Sequence, residues 1–278
     1  MLNDIWMKVI FNSKRGVSSI ISTLVIFTVM ISSLALAFSQ IVPSLERFQS
    51  ESQLTTTINT FLTIDAVVKR ISNAPANTSE IIRYNLDTGI LDVNTGSELM
   101  LFLKSGDNVF FNQTYYLGEL VYTVTGNYKG LGGSIYDYGS PRIFVYSINR
   151  TDPMTNIVHQ TYNGYREVKL FYKTFVSIEE SSQTSTINVN FVLIHLNTTY
   201  SSNGKKEYFP IINQKSKIQI TKGLQVLEQY DLGEQHDTLI VGGTTNTFSQ
   251  IIEYPKAPAT FNVLLKVIHI YIELKTTS

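Results

Sequence analysis

The chain reads as an α+β protein: a long N-terminal transmembrane helix extends into a β-rich C-terminal head, an antiparallel sandwich or barrel-like sheet. Three observations predict this. From Val17 through Leu45, 29 residues pass without an Asp, Glu, Lys or Arg, more than the roughly 20 needed to cross a bilayer as a helix. No Gly or Pro interrupts residues 44–73, where Leu54, Ile58, Phe61, Asp65 and Val68 keep helical spacing. After the turn Asn73-Ala74-Pro75-Ala76-Asn77, short runs rich in Tyr, Phe, Val, Ile and Thr are separated by turn signals.

Residues 1–16 form a short leader in which Lys8, Lys14 and Arg15 face one acid, Asp4. Glu46, Arg47 and Glu51 follow the apolar run, so the positive-inside bias keeps the N-terminus cytoplasmic and puts everything after about residue 46 outside. A secretory signal has an apolar core of about 7 to 15 residues and then a small-residue cleavage site. Here the apolar stretch is twice as long and the small residue comes first.

Within the apolar helix, 17–45, Ser18, Ser19, Ser22, Thr23, Thr28, Ser32, Ser33 and Ser39 lie among Ile, Leu, Val and Phe. Small residues let helices approach closely, and their hydroxyls bond either across a helix contact or back to their own helix. The extension, 46–72, continues the helix to about Ser72, and Pro43 predicts a kink near the membrane exit. Val17 to Ser72 would span roughly 84 Å at 1.5 Å per residue, and the stripe on its outer half needs a cover.

That cover is the head, 73–278. Asp87-Thr88-Gly89, Lys104-Ser105-Gly106-Asp107-Asn108, Asn163-Gly164 and Asn203-Gly204 read as hairpin turns. Val168, Leu170, Tyr172, Thr174, Val176 and Ile178 alternate on one strand face, and Ile268, Ile270, Ile272 and Leu274 oppose His269, Tyr271, Glu273 and Lys275. Gly126, Gly130, Gly132, Gly133 and Gly139 mark a loop over 126–140, and a boundary near 150–166 divides the head into two lobes.

Composition narrows the function classes. The chain has no Cys, which excludes disulfides and thiolate metal sites, so an exterior domain of 233 residues from Glu46 must hold itself together by burial. The formal charge is zero; without the leader, with its three basic residues and one acid, it is −2. There is no basic footprint for nucleic acid.

Chemistry-bearing motifs are sparse. His159, His195, His236 and His269 are scattered, and His195 and His269 sit in strand-like runs where a partnered side chain is a better account than a ligand. Glu228, Asp231, Glu234, His236 and Asp237 form the best metal-like cluster, but they lack an Asp-x-Asp-x-Asp-Gly loop and read as a solvated turn, so no metal is expected. Gly130-Leu131-Gly132-Gly133-Ser134 lacks the Lys and following helix of a phosphate loop, and no Gly-x-Ser-x-Gly elbow occurs. No cofactor and no catalytic residue are expected. Asn77, Asn112, Asn149 and Asn197 each have Ser or Thr two residues on and are candidate glycan acceptors on an exterior surface, although chance alone gives about 4 such sites at this composition.

A short leader, Lys14-Arg15-Gly16, a Val17-Ser18-Ser19-Ile20 start and an uninterrupted apolar helix together resemble the leader and N-terminal helix of archaeal type IV pilins and pilin-like proteins, over about 45 residues. The resemblance implies that a prepilin peptidase recognises Lys14, Arg15 and Gly16 and cuts before Val17, and that the helix then becomes the core of a filament. It also implies an assembly ATPase with its membrane platform, sister subunits and membrane lipid as partners. Bacterial relatives carry Glu at the fifth mature position, which here is Ile21; archaeal members often lack it. The reading that follows is a non-enzymatic structural or adhesive subunit, major or minor. Two others stay open: a membrane-anchored extracytoplasmic protein that binds a sugar or surface ligand without polymerising, and an anchored hydrolase.

Overall fold

The computed structural model describes residues 2–84, 88–94, 96–146, 153–181, 186–198, 209–212, 216–245 and 249–275, with side chains from Ile20 onward except, chiefly, those of 209–216, 230–239, 249–250 and 252–259. One helix, α1 (Leu2–Ser72), is followed by β1 (Ser79–Tyr84), β2 (Thr88–Asn94), β3 (Glu98–Ser105), β4 (Asn108–Tyr116), β5 (Glu119–Thr125), β6 (Ser134–Tyr138) and β7 (Phe144–Tyr146). Then come β8 (Thr155–Tyr162), β9 (Tyr165–Tyr172), β10 (Thr174–Ser181), β11 (Thr186–Thr198), β12 (Phe209–Ile212), β13 (Ser216–Thr244) and β14 (Ser249–Lys275). The chain divides into two compact units, Met1–Ser52 and Gln53–Ser278. A long apolar N-terminal helix followed by a β-rich domain is therefore the architecture.

In the first unit α1 is helical from Leu2, so the leader and the apolar run lie in the same element. Pro43 stands inside this helix. Gly16 is the sole glycine of α1.

In the second unit the strands form two sheets. One has the order β4-β3-β13-β14-β11-β10-β7, with β1 also pairing β13; the other has the order β12-β2-β5-β9-β8-β6. The six-stranded sheet is antiparallel in all its pairs. The expectation of antiparallel pairing throughout is corrected in the larger sheet: β11 runs parallel to β14, and β7 parallel to β10. Parallel neighbours need a long intervening crossover, and here β12 and β13 lie between β11 and β14.

Two apolar cores result. The first collects Phe61, Ile64, Val67, Val68 and Ile71 of α1 with residues of both sheets, among them Tyr84, Leu120, Leu170, Ile220 and Ile270. Leu54 and Ile58 pack partly buried against it, so the stripe read from the sequence is the face the sheets cover. The second core belongs to the larger sheet alone and includes Leu101, Phe111, Phe144, Phe191 and Leu265.

β11 and β14 feed both cores from opposite faces. Val189, Phe191 and Leu193 enter the second core, and then the adjacent Ile194 and Leu196 enter the first. In β14 the same change falls between Val267 and Ile268, directly opposite in the register. Successive side chains point to opposite faces, so two consecutive buried residues mark where a strand leaves one core and joins the other.

Several readings of the sequence change here. The alternation from Val168 to Ile178 spans two strands: β9 ends at Tyr172 in one sheet and β10 starts at Thr174 in the other, with Lys173 at the corner. The Lys173 amide donates to Met154 O at 2.7 Å and the Thr174 amide to Ile143 O at 3.1 Å, which ties the crossing down. The glycine-rich stretch is interrupted by the edge strand β6, Ser134–Tyr138, and is irregular on both sides of it. The 228–237 segment lies within β13 rather than in a turn, with register shifts at Leu232/His236 and His236/Thr238. Of the 150–166 segment, residues 155–162 form β8, which turns through Asn163-Gly164 into β9. Gly106 and Gly164 adopt positive φ at their hairpin turns, as the sequence predicts; Asn203-Gly204 and Asp87 lie outside the described residues.

Polar groups fasten the helix end to the sheets. The buried Lys222 Nζ donates to Ser72 O at 2.9 Å and to Ala74 O at 2.6 Å, taking up carbonyls that a helix C-terminus leaves without partners. The chain just beyond is paired in turn: the Lys222 amide donates to Thr78 O and the Asn77 amide to Lys222 O. Asp65, buried on the helix, accepts from Thr155 Oγ1 at 2.5 Å and from Lys69 Nζ at 2.7 Å. Arg70 reaches Glu80 of β1 with two guanidinium nitrogens, an exposed pair that contributes little.

Replacing Lys222 by Met keeps the apolar stem and removes both bonds, leaving Ser72 O without that donor. We expect a loss of about 1–3 kcal/mol, measured by urea unfolding of the full-length chain in detergent.

Candidate functional site

The apolar part of α1 is the most unusual surface on the chain. Of its large side chains, Ile20, Ile21, Leu24, Val25, Phe27, Met30, Leu34, Leu36, Phe38 and Leu45 are all between 54% and 66% exposed. Single exposed apolar residues are ordinary, whereas a contiguous patch of this size marks an interaction surface. The hydroxyls do not interrupt it. Thr28 Oγ1 donates to Leu24 O at 2.8 Å, Ser32 Oγ to Thr28 O at 2.8 Å and Ser39 Oγ to Leu36 O at 2.7 Å. Of the two uses open to these hydroxyls, the chain by itself shows bonding back to the helix. By length and composition this helix is apolar enough to cross a membrane, a test that a signal sequence near an N-terminus also passes.

Lys14, Arg15, Gly16 and Val17 have helical backbone, and their side chains are outside those described. Glycine costs about 1 kcal/mol relative to Ala inside a helix, so Gly16 is the weakest point of the first 42 residues by backbone propensity.

The candidate glycan acceptors separate by environment. Asn77 is exposed at positive φ in the turn between α1 and β1. Asn112 is exposed on β4, at the end of the larger sheet's strand order, with Thr114 exposed on the same face. Asn197 is half-buried in β11, opposite Tyr271 of β14, a poor place for a bulky group. Asn149 lies outside the described residues.

On the outer face of the six-stranded sheet is a cleft of about 410 Å³, whose lining includes Glu119, Tyr136, Arg142, Asn156, Lys169 and Phe171. The volume falls within the range of small-molecule sites. Burial pulls the Lys169 ammonium down, but Glu119 and Glu167 more than offset it and its pKa is raised; their oxygens lie 3.6 and 3.4 Å from Nζ. Burial also pushes the Tyr136 phenol up. The polar side chains are thus largely matched to one another, and no nucleophile–base pair is evident among them.

Elsewhere, Tyr172 is fully buried, and burial followed by the Asp65 carboxylate holds its phenol well above the usual value. The hydroxyl does not reach hydrogen-bonding geometry with that carboxylate. His159 Nδ1 lies 2.7 Å from Asp137 Oδ2. His195 and His269 partner each other, Nδ1 to Nδ1 at 3.3 Å. The sequence separates these two residues by 74 positions and carries no local signal that joins them. Of the metal-like cluster, the side chains of Asp231, Glu234, His236 and Asp237 are outside those described. Among the described residues no three His, Cys, Asp or Glu side chains converge as a metal set.

No protein-family model matches the chain, and no similar curated protein or solved structure is found.

The histidine pair gives the head a pH dependence. Burial lowers the pKa of both rings, and His269 lowers that of His195 further. The folded state therefore holds fewer protons than the unfolded one below the ordinary value of 6.5, so stability rises with pH there. The contribution is intact above 6.5 and is lost as pH falls through that value toward the lower folded ones. Thermal melts from about pH 7.5 to 5 should show wild type losing more stability than a variant with His195→Gln and His269→Gln.

Proposed function

We propose that the chain is a pilin-like structural subunit, major or minor, of an archaeal type IV pilus-like surface filament. In this reading the helix holds the precursor in the membrane with its N-terminus cytoplasmic and its head outside. The observation that supports it is the continuous exposure of apolar side chains on α1 from Ile20 to Phe48. Leaving so many in water costs on the order of tens of kcal/mol, so the segment requires either lipid or copies of itself. Lipid tails are as apolar as Leu, so the step from membrane to bundle is driven by packing, which small residues such as Ser22, Ser32 and Ser33 favour.

The leader fits the same reading. Lys14 and Arg15 keep the start of the helix in the cytoplasm, and a prepilin peptidase needs an extended peptide to cut, which Gly16 yields at lower cost than any other residue nearby. Val17 is then the mature N-terminus. An assembly ATPase and its membrane platform supply the work of extraction. Asn77 and Asn112 are the exposed acceptors among the described residues that glycosylation at the surface would use, and adhesion belongs to the head. In this role the chain carries out no catalysis.

One observation favours a second reading: the head's cleft would serve a membrane-anchored protein that binds a small surface ligand without polymerising. Shearing separates the two. In cells that possess the peptidase, wild-type protein should appear in the sheared filament fraction beginning at Val17. Gly16→Trp should leave the full-length chain in the membrane fraction. Wild-type protein that stays full-length, or Gly16→Trp protein processed like wild type, would overturn the pilin-like reading.

A further inference from the structure

His195 and His269 sit side by side on neighbouring parallel strands, at matched positions of the β11–β14 register. Their rings meet edge to face, with centroids 5.3 Å apart, and their Nδ1 atoms are 3.3 Å apart. Both residues are half-buried. They share a strand face with Leu193 and Val267, the last residues of β11 and β14 to enter the second core, so they occupy the place where that core stops covering the sheet.

Strand pairing stops or shifts on either side of the pair. The pairing of β10 with β11 begins at Phe175 and Val192 and does not reach His195. On the other side, β13 has a register shift between Lys222 and Gln225, opposite His269. Gly223 lies in that shift, where an added Cβ would come within 2.4 Å of the Tyr271 ring and 3.3 Å of His269 Cβ. The glycine therefore admits the two side chains.

The spacing of the nitrogens has a chemical meaning. Two imidazole nitrogens bound at about 2.0–2.1 Å to one tetrahedral ion lie roughly 3.3–3.4 Å apart. A hydrogen bond between two such nitrogens is commonly shorter. Metal ligation requires neutral imidazoles, and the half-buried setting of both rings favours that form.

We propose that His195 and His269 form a two-nitrogen site for a divalent transition cation of the imidazole-preferring class, Zn2+ or Cu2+, with water or an incoming donor in the remaining positions. Parallel pairing of β11 and β14 holds the ligands in place, so the site depends on the tertiary fold and is not a flexible chelate. Binding there clamps the two strands to each other at the point where they change cores. In the Irving–Williams order copper binds the tighter of the two.

The test uses the tag-free full-length chain in detergent, titrated calorimetrically with Zn2+ and with Cu2+, and the Cu2+ complex examined by electron paramagnetic resonance. One ion should bind per chain, with hyperfine structure from two nitrogens. His195→Gln and His269→Gln should each weaken binding at least about tenfold, while His159→Gln binds as wild type. His195→Cys should restore Zn2+ binding and give a thiolate-to-cobalt charge-transfer band with Co2+, a signature that a merely structural role would not produce. Absence of saturable binding to wild type, or equal binding by the folded His195→Gln and His269→Gln variants, would overturn the proposal. Should the Gln variants fail to fold, His195→Cys decides it: no Zn2+ binding and no charge-transfer band would overturn the site.

Discussion

The structure depends on a long, continuous run of exposed apolar side chains on one helix. Residues 54–71 of α1 present an apolar stripe that both sheets bury, so this part of the helix has its partner within the molecule. Residues 20–48 present a comparable surface that stays exposed, with the Thr28, Ser32 and Ser39 hydroxyls bonded back to carbonyls of the same helix. Folding of the chain satisfies the first surface and leaves the second to its environment. The proposed membrane and filament roles both follow from that remainder.

The head is organised to hold one end of this helix firmly. Lys222 donates to two carbonyls, at the helix terminus and just beyond it. Asp65 joins the helix to Thr155 on β8, and Phe61, Ile64 and Val68 fill the space between. The larger sheet has a second core of its own, which takes up β11 and β14 where they leave the core around the helix. β11 and β14 belong to both cores because each changes its buried face once, and their register makes the change coincide.

Periodicity made the faces legible and left the neighbours hidden. Leu54, Ile58, Phe61, Asp65 and Val68 show which side of the helix needs a cover, because a 3.6-residue repeat is a local property. Ile268, Ile270 and Ile272 against His269 and Tyr271 show the two sides of β14 for the same reason. The Gly106 and Gly164 turns declare themselves because a glycine at positive φ closes a hairpin within a few residues. The parallel pairing of β11 with β14 could not be read this way, because alternation says which face is buried and nothing about the adjacent strand. The change of sheet at Lys173 was masked for a related reason: the alternation from Val168 to Ile178 continues through the corner. Lys222 as a helix cap and the juxtaposition of His195 with His269 are consequences of that unread topology. Of the proposed processing positions, Lys14, Arg15, Gly16 and Val17 were identified by resemblance, and their chemistry is not visible in packing.

In the proposed filament the exposed apolar helix packs against copies of itself. The chain has no cysteine, so single cysteines placed along residues 20–45, such as Thr28→Cys and Ser32→Cys, can be cross-linked oxidatively in cells without background. Ladders of covalent oligomers are expected from the positions that face a neighbouring helix, with weaker products between them. Monomers alone at every position, with all the cysteines open to lipid-soluble reagents, would contradict it.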